Sequence, residues 1–472
     1  MRRISEKKRP EARGTAFSIL NTLDKGRRTL DNIIEEVIDE ESPLSRRDRS
    51  LVYALVYGVL RWRGQLDWII SYFSKTRLNK IAPDVLNILR IGLFQIICLD
   101  RIPVSAAVNT SVEMTKSCAA PWTVRFVNGL LRNAARGYET VPFPDADKDQ
   151  VAALAAEKSF PRWLVKRWLN HLGFEETGRL CDAVNTIPPL TVRANTLMTT
   201  REQLMESLGP DVGKMELTPY APDGIRFSNP KISVPEMKAF KNGGFQVQDE
   251  AAQLVTYLLN PQPGETILDA CAGLGGKTGH IAQQMKNQGH ILALDKDGEK
   301  LSRLRAEMDR LGVSIVETYV CDLNEKLTEL PSNVPEFDRI LLDAPCSGLG
   351  VLRRNPDIKW FMSEKELPRY KERQIKFLDT LAHLVKPSGI MVYAVCSTEP
   401  EENELVVTDF LHQHPEYEII NLKYRISNKS QMINSKSQIN PKSQIPNSKF
   451  MKTFPHIDNM DGFFAVCFRR VK

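Results

Sequence analysis

Leu341-Leu342-Asp343-Ala344-Pro345-Cys346-Ser347-Gly348 is an apolar run that stops at a polar, sharply turning segment, and Val395-Cys396-Ser397-Thr398 repeats the arrangement further along the chain. Short apolar runs bounded by turn residues are the pattern of strands buried on both faces. In an open α/β sheet, ligands bind just beyond the carboxyl ends of such strands. Two strand ends would therefore deliver a cysteine each to one edge, with Asp343 three residues before the first. A thiolate is a strong nucleophile toward carbon, and a second thiol or carboxylate beside it can move protons. An isolated intracellular cysteine is most often a small buried hydrophobe. A pair at two strand ends, one following Asp-Ala-Pro, points to chemistry.

Outward from this stretch, the chain alternates strand and helix from Gln248 onward. Strands are expected at Thr266–Asp269, His290–Asp295, Ile315–Asp322, Arg339–Asp343 and Gly389–Val395, with Phe463–Arg469 closing the sheet. Helices are expected at Thr278–Met285, Glu299–Leu311 and Ser363–Val385. Such alternation gives a doubly wound, largely parallel sheet, here residues 246–472. Within it, residues 421–455 carry seven Lys/Arg and no acid, and repeat Lys-Ser-Gln. That polar, low-complexity composition cannot bury a core, so a disordered insertion is expected.

The turn after the first strand reads Asp269-Ala270-Cys271-Ala272-Gly273-Leu274-Gly275-Gly276-Lys277-Thr278. Its glycines let a ligand approach the backbone. Asp295 and Asp322, at the ends of the next two strands, can take ribose hydroxyls. A dinucleotide fingerprint is disfavoured because Thr278 stands where it needs Gly or Ala. A phosphate-binding loop is disfavoured because Gly-Lys-Thr lacks the upstream glycine. Adenosine held by its ribose and base, as in S-adenosylmethionine (SAM) enzymes, fits better.

Residues 1–140 read as all-α, with apolar residues at helical spacing such as Ala16, Ile19, Leu20 and Leu23, and Phe126, Val127, Leu130, Leu131 and Ala134. Separate helices are expected over Asp48–Arg61 and Gln65–Phe73. Arg46, Arg47, Arg49, Arg61, Arg63, Arg125, Arg132 and Arg136 lie near helix ends or on polar faces and are candidate phosphate contacts. A linker at 141–160 and a small α+β module at 161–245 complete the chain. Eight scattered cysteines in 472 residues, with no CxxC pairs, indicate neither a disulfide scaffold nor a zinc site. No apolar stretch follows the basic start as a signal peptide requires, and none is long enough to span a bilayer. A cytoplasmic protein without membrane partner or metal is expected.

Asp343-Ala-Pro-Cys346-Ser-Gly together with Cys396-Ser-Thr resembles the RNA cytosine-5 methyltransferase family. Val56-Tyr57-Gly58-Val59-Leu60-Arg61-Trp62, Leu89-Arg90-Ile91-Gly92 and Phe126-Val127-Asn128-Gly129-Leu130-Leu131-Arg132 resemble its NusB-like RNA-binding domain. The resemblance covers nearly the whole chain apart from 421–455. It implies a class I SAM-dependent methyltransferase domain with a Rossmann-like sheet. Cys396 would add to cytosine C6, Asp343 would hydrogen-bond the N3/N4 edge, and Cys346 would assist loss of the C5 proton and release. DNA cytosine-5 enzymes use the Pro-Cys cysteine instead, so this assignment rests on family likeness and not on spacing. Cys271, Ala272, Gly273, Leu274, Gly275, Gly276 and Lys277 would line SAM, with Asp295, Asp322 and Asp343 completing its site. The family usually has Ala-Pro-Gly-Gly where this chain has Gly273-Leu274-Gly275-Gly276. Pro189, Arg193 and Asn195 resemble its Pro-x-x-x-Arg-x-Asn element. The implied substrate is 16S rRNA, unassembled or partly assembled, at the cytosine conventionally numbered 967, with no DNA partner and a monomeric enzyme. Another rRNA or tRNA cytosine, or a non-catalytic RNA-binding or assembly factor, is the alternative.

Overall fold

A computed structural model describes residues 11–26, 28–38, 44–325, 336–420 and 449–471. Its chain divides into one unit of Met1–Thr186 with Arg354–Glu364 and another of Ile187–Arg353 with Lys365–Lys472. The first unit is helical: α1 (Ala12–Asp24), α2 (Leu30–Val37), α3 (Arg46–Phe73), α4 (Pro83–Cys98), α5 (Val104–Cys118), α6 (Pro121–Gly137), α7 (Gln150–Glu157) and α8 (Arg162–Val184). Ile19 and Leu23 of α1, Leu55 and Val59 of α3, Ile88 and Ile91 of α4, and Val127 and Leu131 of α6 bury their apolar stripes in one core.

The structure departs from the sequence reading in three places here. Helix α3 runs unbroken through Gly64, where two helices are expected. The missing side chain lets Ser159 Oγ accept from the Gly64 and Gln65 amides at 2.8 and 3.3 Å, and a Cβ would stand 3.2 Å from Ser159 Cα. Helix α7 forms within the expected linker at 141–160 and α8 within the expected module at 161–245, and both fall in the helical unit. The anchors are Gln65 Nε2 donating to Glu157 O at 3.1 Å and Lys359 Nζ donating to both Arg61 O and Ser159 O at 2.8 Å. Arg61 is buried, and Arg63 donates to Asp24 at 2.8 Å, so these two arginines serve the fold. Arg46, Arg47, Arg125, Arg132 and Arg136 are exposed, and Arg49 is half-buried.

The second unit starts with a four-stranded antiparallel sheet. It comprises β1 (Leu190–Ala194), β2 (Met215–Leu217), β3 (Gly224–Phe227) and β4 (Phe245–Val247) in the order β2-β3-β1-β4. Helices α9 (Arg201–Leu208) and α10 (Lys238–Lys241) accompany it; α9 carries the Thr200/Gln203 capping box. The main sheet follows through α11 (Glu250–Leu259), β5 (Thr266–Asp269), α12 (Gly276–Gln284), β6 (His290–Asp295), α13 (Gly298–Leu311), β7 (Val316–Val320) and β8 (Phe337–Asp343). The chain then contributes α14 (Ile358–Phe361) to the helical unit. It returns as α15 (Leu367–Ala382), β9 (Val385–Val395), α16 (Glu404–Gln413), β10 (Tyr417–Ile419), β11 (Met451–Lys452) and β12 (Phe464–Arg470).

Strand order is β10-β12-β9-β8-β5-β6-β7, with β11 on β12. β9, β8, β5, β6 and β7 are parallel, and β12 runs antiparallel between β9 and β10. The order reverses between β5 and β8, which places the binding crevice beyond their carboxyl ends. Both faces are covered by apolar layers, one built on α11, α12 and α13 and the other on α15 and α16. Two differences from the sequence reading stand out. Val385 opens β9 instead of ending the helix before it. Residues 449–455 of the expected insertion are ordered, Met451 pairing with Ala465; residues 421–448 lie outside the described residues.

The small sheet is locked to the main one by polar groups. Arg193, fully buried on β1, donates to Gln283 Oε1 at 3.1 Å, Gln246 Oε1 at 2.7 Å, Gln248 Oε1 and the carbonyl of Gly276 at 3.0 Å. Asn195 Nδ2 donates to Gly243 O and Leu311 O, both at 2.9 Å. Removing a buried donor strands its acceptors at about 1–3 kcal/mol each. Arg193→Met, which keeps the volume, is expected to lower unfolding stability by about 3 kcal/mol, and urea unfolding checks it.

Candidate active site

Register fixes the site. β8 and β9 pair in parallel with Leu342 opposite Tyr393 and Asp343 opposite Ala394. Their turns therefore leave the sheet side by side, and Cys346 Sγ lies 3.0 Å from Cys396 Sγ. Both cysteines are partly accessible. The crossing is tight: Gly350 N donates to Cys396 O at 3.0 Å and Gly462 N to Gly350 O at 2.8 Å. A Cβ on Gly350 would lie 1.9 Å from Gly462 O, so no side chain fits there.

Asp343 accepts from Lys277 Nζ at 2.5 Å. Burial alone would lower the Lys277 ammonium, but the adjacent Asp343 carboxylate outweighs it and the net shift is upward. Lys277 thus stays a cation, favoured also by Cys396, and its ammonium lies 5.4 Å from the Phe463 ring centre. The Cys346 thiol is pushed well above its ordinary value. Its hydrogen bond with Cys396 contributes most, followed by burial and then by the negative charges of Cys396 and Glu402. Cys346 is accordingly held as a neutral thiol.

Cys271–Lys277 wrap the end of β5. Gly273 and Gly275 adopt left-handed backbone (φ +56° and +84°), and a side chain on Gly275 would collide with Leu304 at 2.8 Å. Glycine is required there on both counts. Above Gly273 and Gly276 a Cβ would meet nothing within 4 Å, so the turn is an open cradle, and the first amides of α12 emerge into it. Leu274 is exposed at the tip. Asp295 binds the cradle's back: one oxygen accepts from Gly273 N at 3.0 Å and the other from Asp297 N at 2.9 Å. Each oxygen keeps a lone pair for a hydroxyl. Asp322 lies just beyond the edge strand β7 and accepts from its own turn, Asn324 N at 2.9 Å and Nδ2 at 2.7 Å. The structure therefore brings together Cys271–Lys277, Asp295, Asp343, Cys346 and Cys396, with Asp322 at the margin.

One further atom marks the cradle as a candidate ligand site. Asp269 is fully buried at its base; one oxygen accepts from Thr278 Oγ1 at 2.7 Å and the other, Oδ1, has no hydrogen-bond partner. An orphaned buried carboxyl oxygen is costly unless a ligand satisfies it. Asp269, the Lys277–Asp343 pair and Glu402 were not singled out for these contacts from sequence. Asp269 shares the strand-end position of Asp295 and Asp343, which is the signal that could have found it.

Chain comparisons agree with this architecture. Residues 256–469 match the family model of the 16S rRNA methyltransferase RsmB/F, residues 10–136 that of the NusB family, and residues 160–234 the ferredoxin-like domain of RsmF/B-like methyltransferases. The chain is 35% identical to the Probable ribosomal RNA small subunit methyltransferase B of Bacillus subtilis, covering 98% of this chain and 99% of that one. It is 35% identical to the protein of the same name in Synechocystis, covering 96% and 98%. Among solved structures, that of PH0851 is similar with a TM-score of 0.77 at 25% identity, covering 98% of this chain and 100% of that one.

Burial raises the Asp269 carboxyl from 3.8 to about 7, the Thr278 hydrogen bond opposing it only in part. The native state then binds more protons than the unfolded one between those values, so this group subtracts stability as pH rises through that window. Asp269→Asn is expected to flatten the fall of unfolding free energy between about pH 5 and 7 by up to one proton, checked by urea midpoints across that range.

Proposed function

The chain belongs to the 16S rRNA methyltransferase RsmB/F family, and on that premise we propose that it methylates C5 of a cytosine in 16S rRNA through a covalent adduct on Cys396. It is a SAM-dependent rRNA methyltransferase. The observation that carries the finer reading is the pair of thiols 3.0 Å apart beside Asp343. When bound, SAM supplies an electrophilic methyl group, with Cys271–Lys277 holding its amino-acid end and Asp295 its ribose.

Cytosine C5 is a poor nucleophile until a group adds at C6. In this reading the Cys396 thiolate adds there and leaves C5 enamine-like. Asp343 hydrogen-bonds the N3/N4 edge, and the hydrogen bond from Lys277 holds that carboxylate in place. Once C5 carries the methyl group, a base takes the C5 proton, the C5–H electrons re-form the C5=C6 double bond, and the C6–S bond breaks to return Cys396 as the thiolate. Cys346 assists these last steps. A thiol raised in pKa is a poor source of thiolate and the stronger base once deprotonated, which suits a proton carrier better than the nucleophile. The base must be unpaired or flipped to expose C6, as in a single-stranded loop. Exposed Arg46, Arg47, Arg125, Arg132 and Arg136 would contact phosphates. We place the reaction in the cytoplasm, by a monomer, on 16S rRNA outside the mature subunit, at the cytosine conventionally numbered 967.

Unmodified 16S rRNA incubated with the protein and labelled SAM is expected to gain one bisulfite-resistant cytosine. Cys396→Ala should lower the rate at least ~10³-fold, as losing a nucleophile does. Cys346→Ala should accumulate a covalent protein–RNA complex that fails to turn over. Methyl transfer to another atom, or full activity of Cys396→Ala, would overturn the reading.

A further inference from the structure

Each of the two cysteines is followed by a serine, and both serines meet the same buried carboxylate. Ser347 Oγ and Ser397 Oγ donate to Oε2 of Glu402 and lie 3.2 Å from each other. The other oxygen, Oε1, accepts from Ser347 N at 2.8 Å and Gln374 Nε2 at 3.1 Å. The Glu402 carbonyl accepts from Tyr393 Oη on β9 at 2.6 Å. Glu402, Ser397 and Gln374 are completely buried and Ser347 nearly so. Among the described residues the carboxylate forms no ion pair. Four donors thus satisfy a desolvated charge that an apolar side chain would avoid at less cost. Gln374 also donates to Pro345 O at 3.1 Å, which ties the residue before Cys346 into the same knot.

We propose that Glu402 is the positioning residue of the cysteine pair: by holding Ser347 and Ser397 on one carboxylate it fixes the turns of β8 and β9 so that the two thiols stay in contact. Strand pairing brings the two turns side by side and ends at Asp343 and Ala394; beyond it the Gly350–Cys396 backbone bond restrains one turn, and the Glu402 knot is what joins the residues that follow the two cysteines. The proposal rests on the cysteine roles given above. The negative charge of Glu402 also helps keep the Cys346 thiol protonated, in keeping with two unlike thiols.

The test uses the full chain with Glu402→Ala, Glu402→Gln and Ser347→Ala/Ser397→Ala. A short bifunctional thiol reagent, with peptide mapping, reports whether Cys346 and Cys396 are adjacent, independently of activity. Wild type should be bridged efficiently, and Glu402→Ala and the double serine variant poorly. In those two variants kcat should fall ~10²-fold, the scale of a misplacement of about 1 Å, with SAM affinity and the KM for RNA unchanged. Glu402→Gln keeps the hydrogen-bonding capacity, since hydroxyls can accept from its amide, and should recover bridging and most of kcat. Should Glu402→Ala fail to fold, the serine and glutamine variants carry the test. Undiminished bridging and kcat in the double serine variant would overturn the proposal. If Cys396→Ala kept full activity while bridging still depended on Glu402, the catalytic reading would fall and the positioning role would stand.

Discussion

Parallel pairing of β8 with β9, in the register that sets Asp343 opposite Ala394, is the constraint from which the site follows. A slip of one residue would reverse the facing of each side chain along β9 and separate Cys396 from Cys346. Both strands are buried on both faces, with Ile340, Leu341 and Leu342 on one and Val392 to Val395 on the other fully enclosed. Slippage would place apolar side chains against unsuited neighbours throughout the layer. The same β8 end supplies Asp343, so one piece of backbone geometry sets both the thiol pair and the carboxylate held by Lys277. The tight crossing of Gly350 and Gly462 then leaves the turns little room to relax.

The small antiparallel sheet braces the turn that follows β5. Arg193 carries its charge into a fully buried site and donates to three glutamines and the first carbonyl of α12. Such a cluster contributes little net stability when complete but is costly to break. Its value is directional: the cradle formed by Gly273–Lys277 is held from below by β1 as well as by Asp295. Within the helical unit Lys359 plays a comparable part. Its buried ammonium donates to Arg61 O and Ser159 O, both at 2.8 Å, and to Asn185 Oδ1 at 3.4 Å. Burial pushes that ammonium far down from its usual value.

Much of this was legible in the chain because it is local. Apolar runs ending in Asp-Ala-Pro-Cys or in Cys-Ser-Thr announce strand ends, and the glycines after Asp269 announce a turn that a ligand can approach. What escaped was set by distant partners. Gly64 looks like a helix break until Ser159 and Trp360 are seen to occupy the space of its absent side chain. Arg61 and Arg63 read like surface charges, yet one is buried and the other is paired with Asp24. Helices α7 and α8 follow a proline-containing stretch that resembles a linker, although they pack with the helical unit. Lys452 lies in a segment whose composition suggests disorder, yet its strand pairs with β12. Glu402 stands in a run of acids and carries no local sign of burial; its carboxylate is enclosed by two serines that follow separate strands.

The most direct measurement is to trap the protein on RNA carrying 5-fluorocytosine in the presence of SAM, digest the complex and map the nucleotide to a peptide. After methyl transfer the fluorine cannot leave as a proton, so the adduct persists. The account predicts the nucleotide on the peptide containing Cys396, with Cys346 unmodified. A nucleotide on the Cys346 peptide would reverse the two roles, and the absence of any adduct with SAM bound would contradict covalent catalysis by this thiol pair.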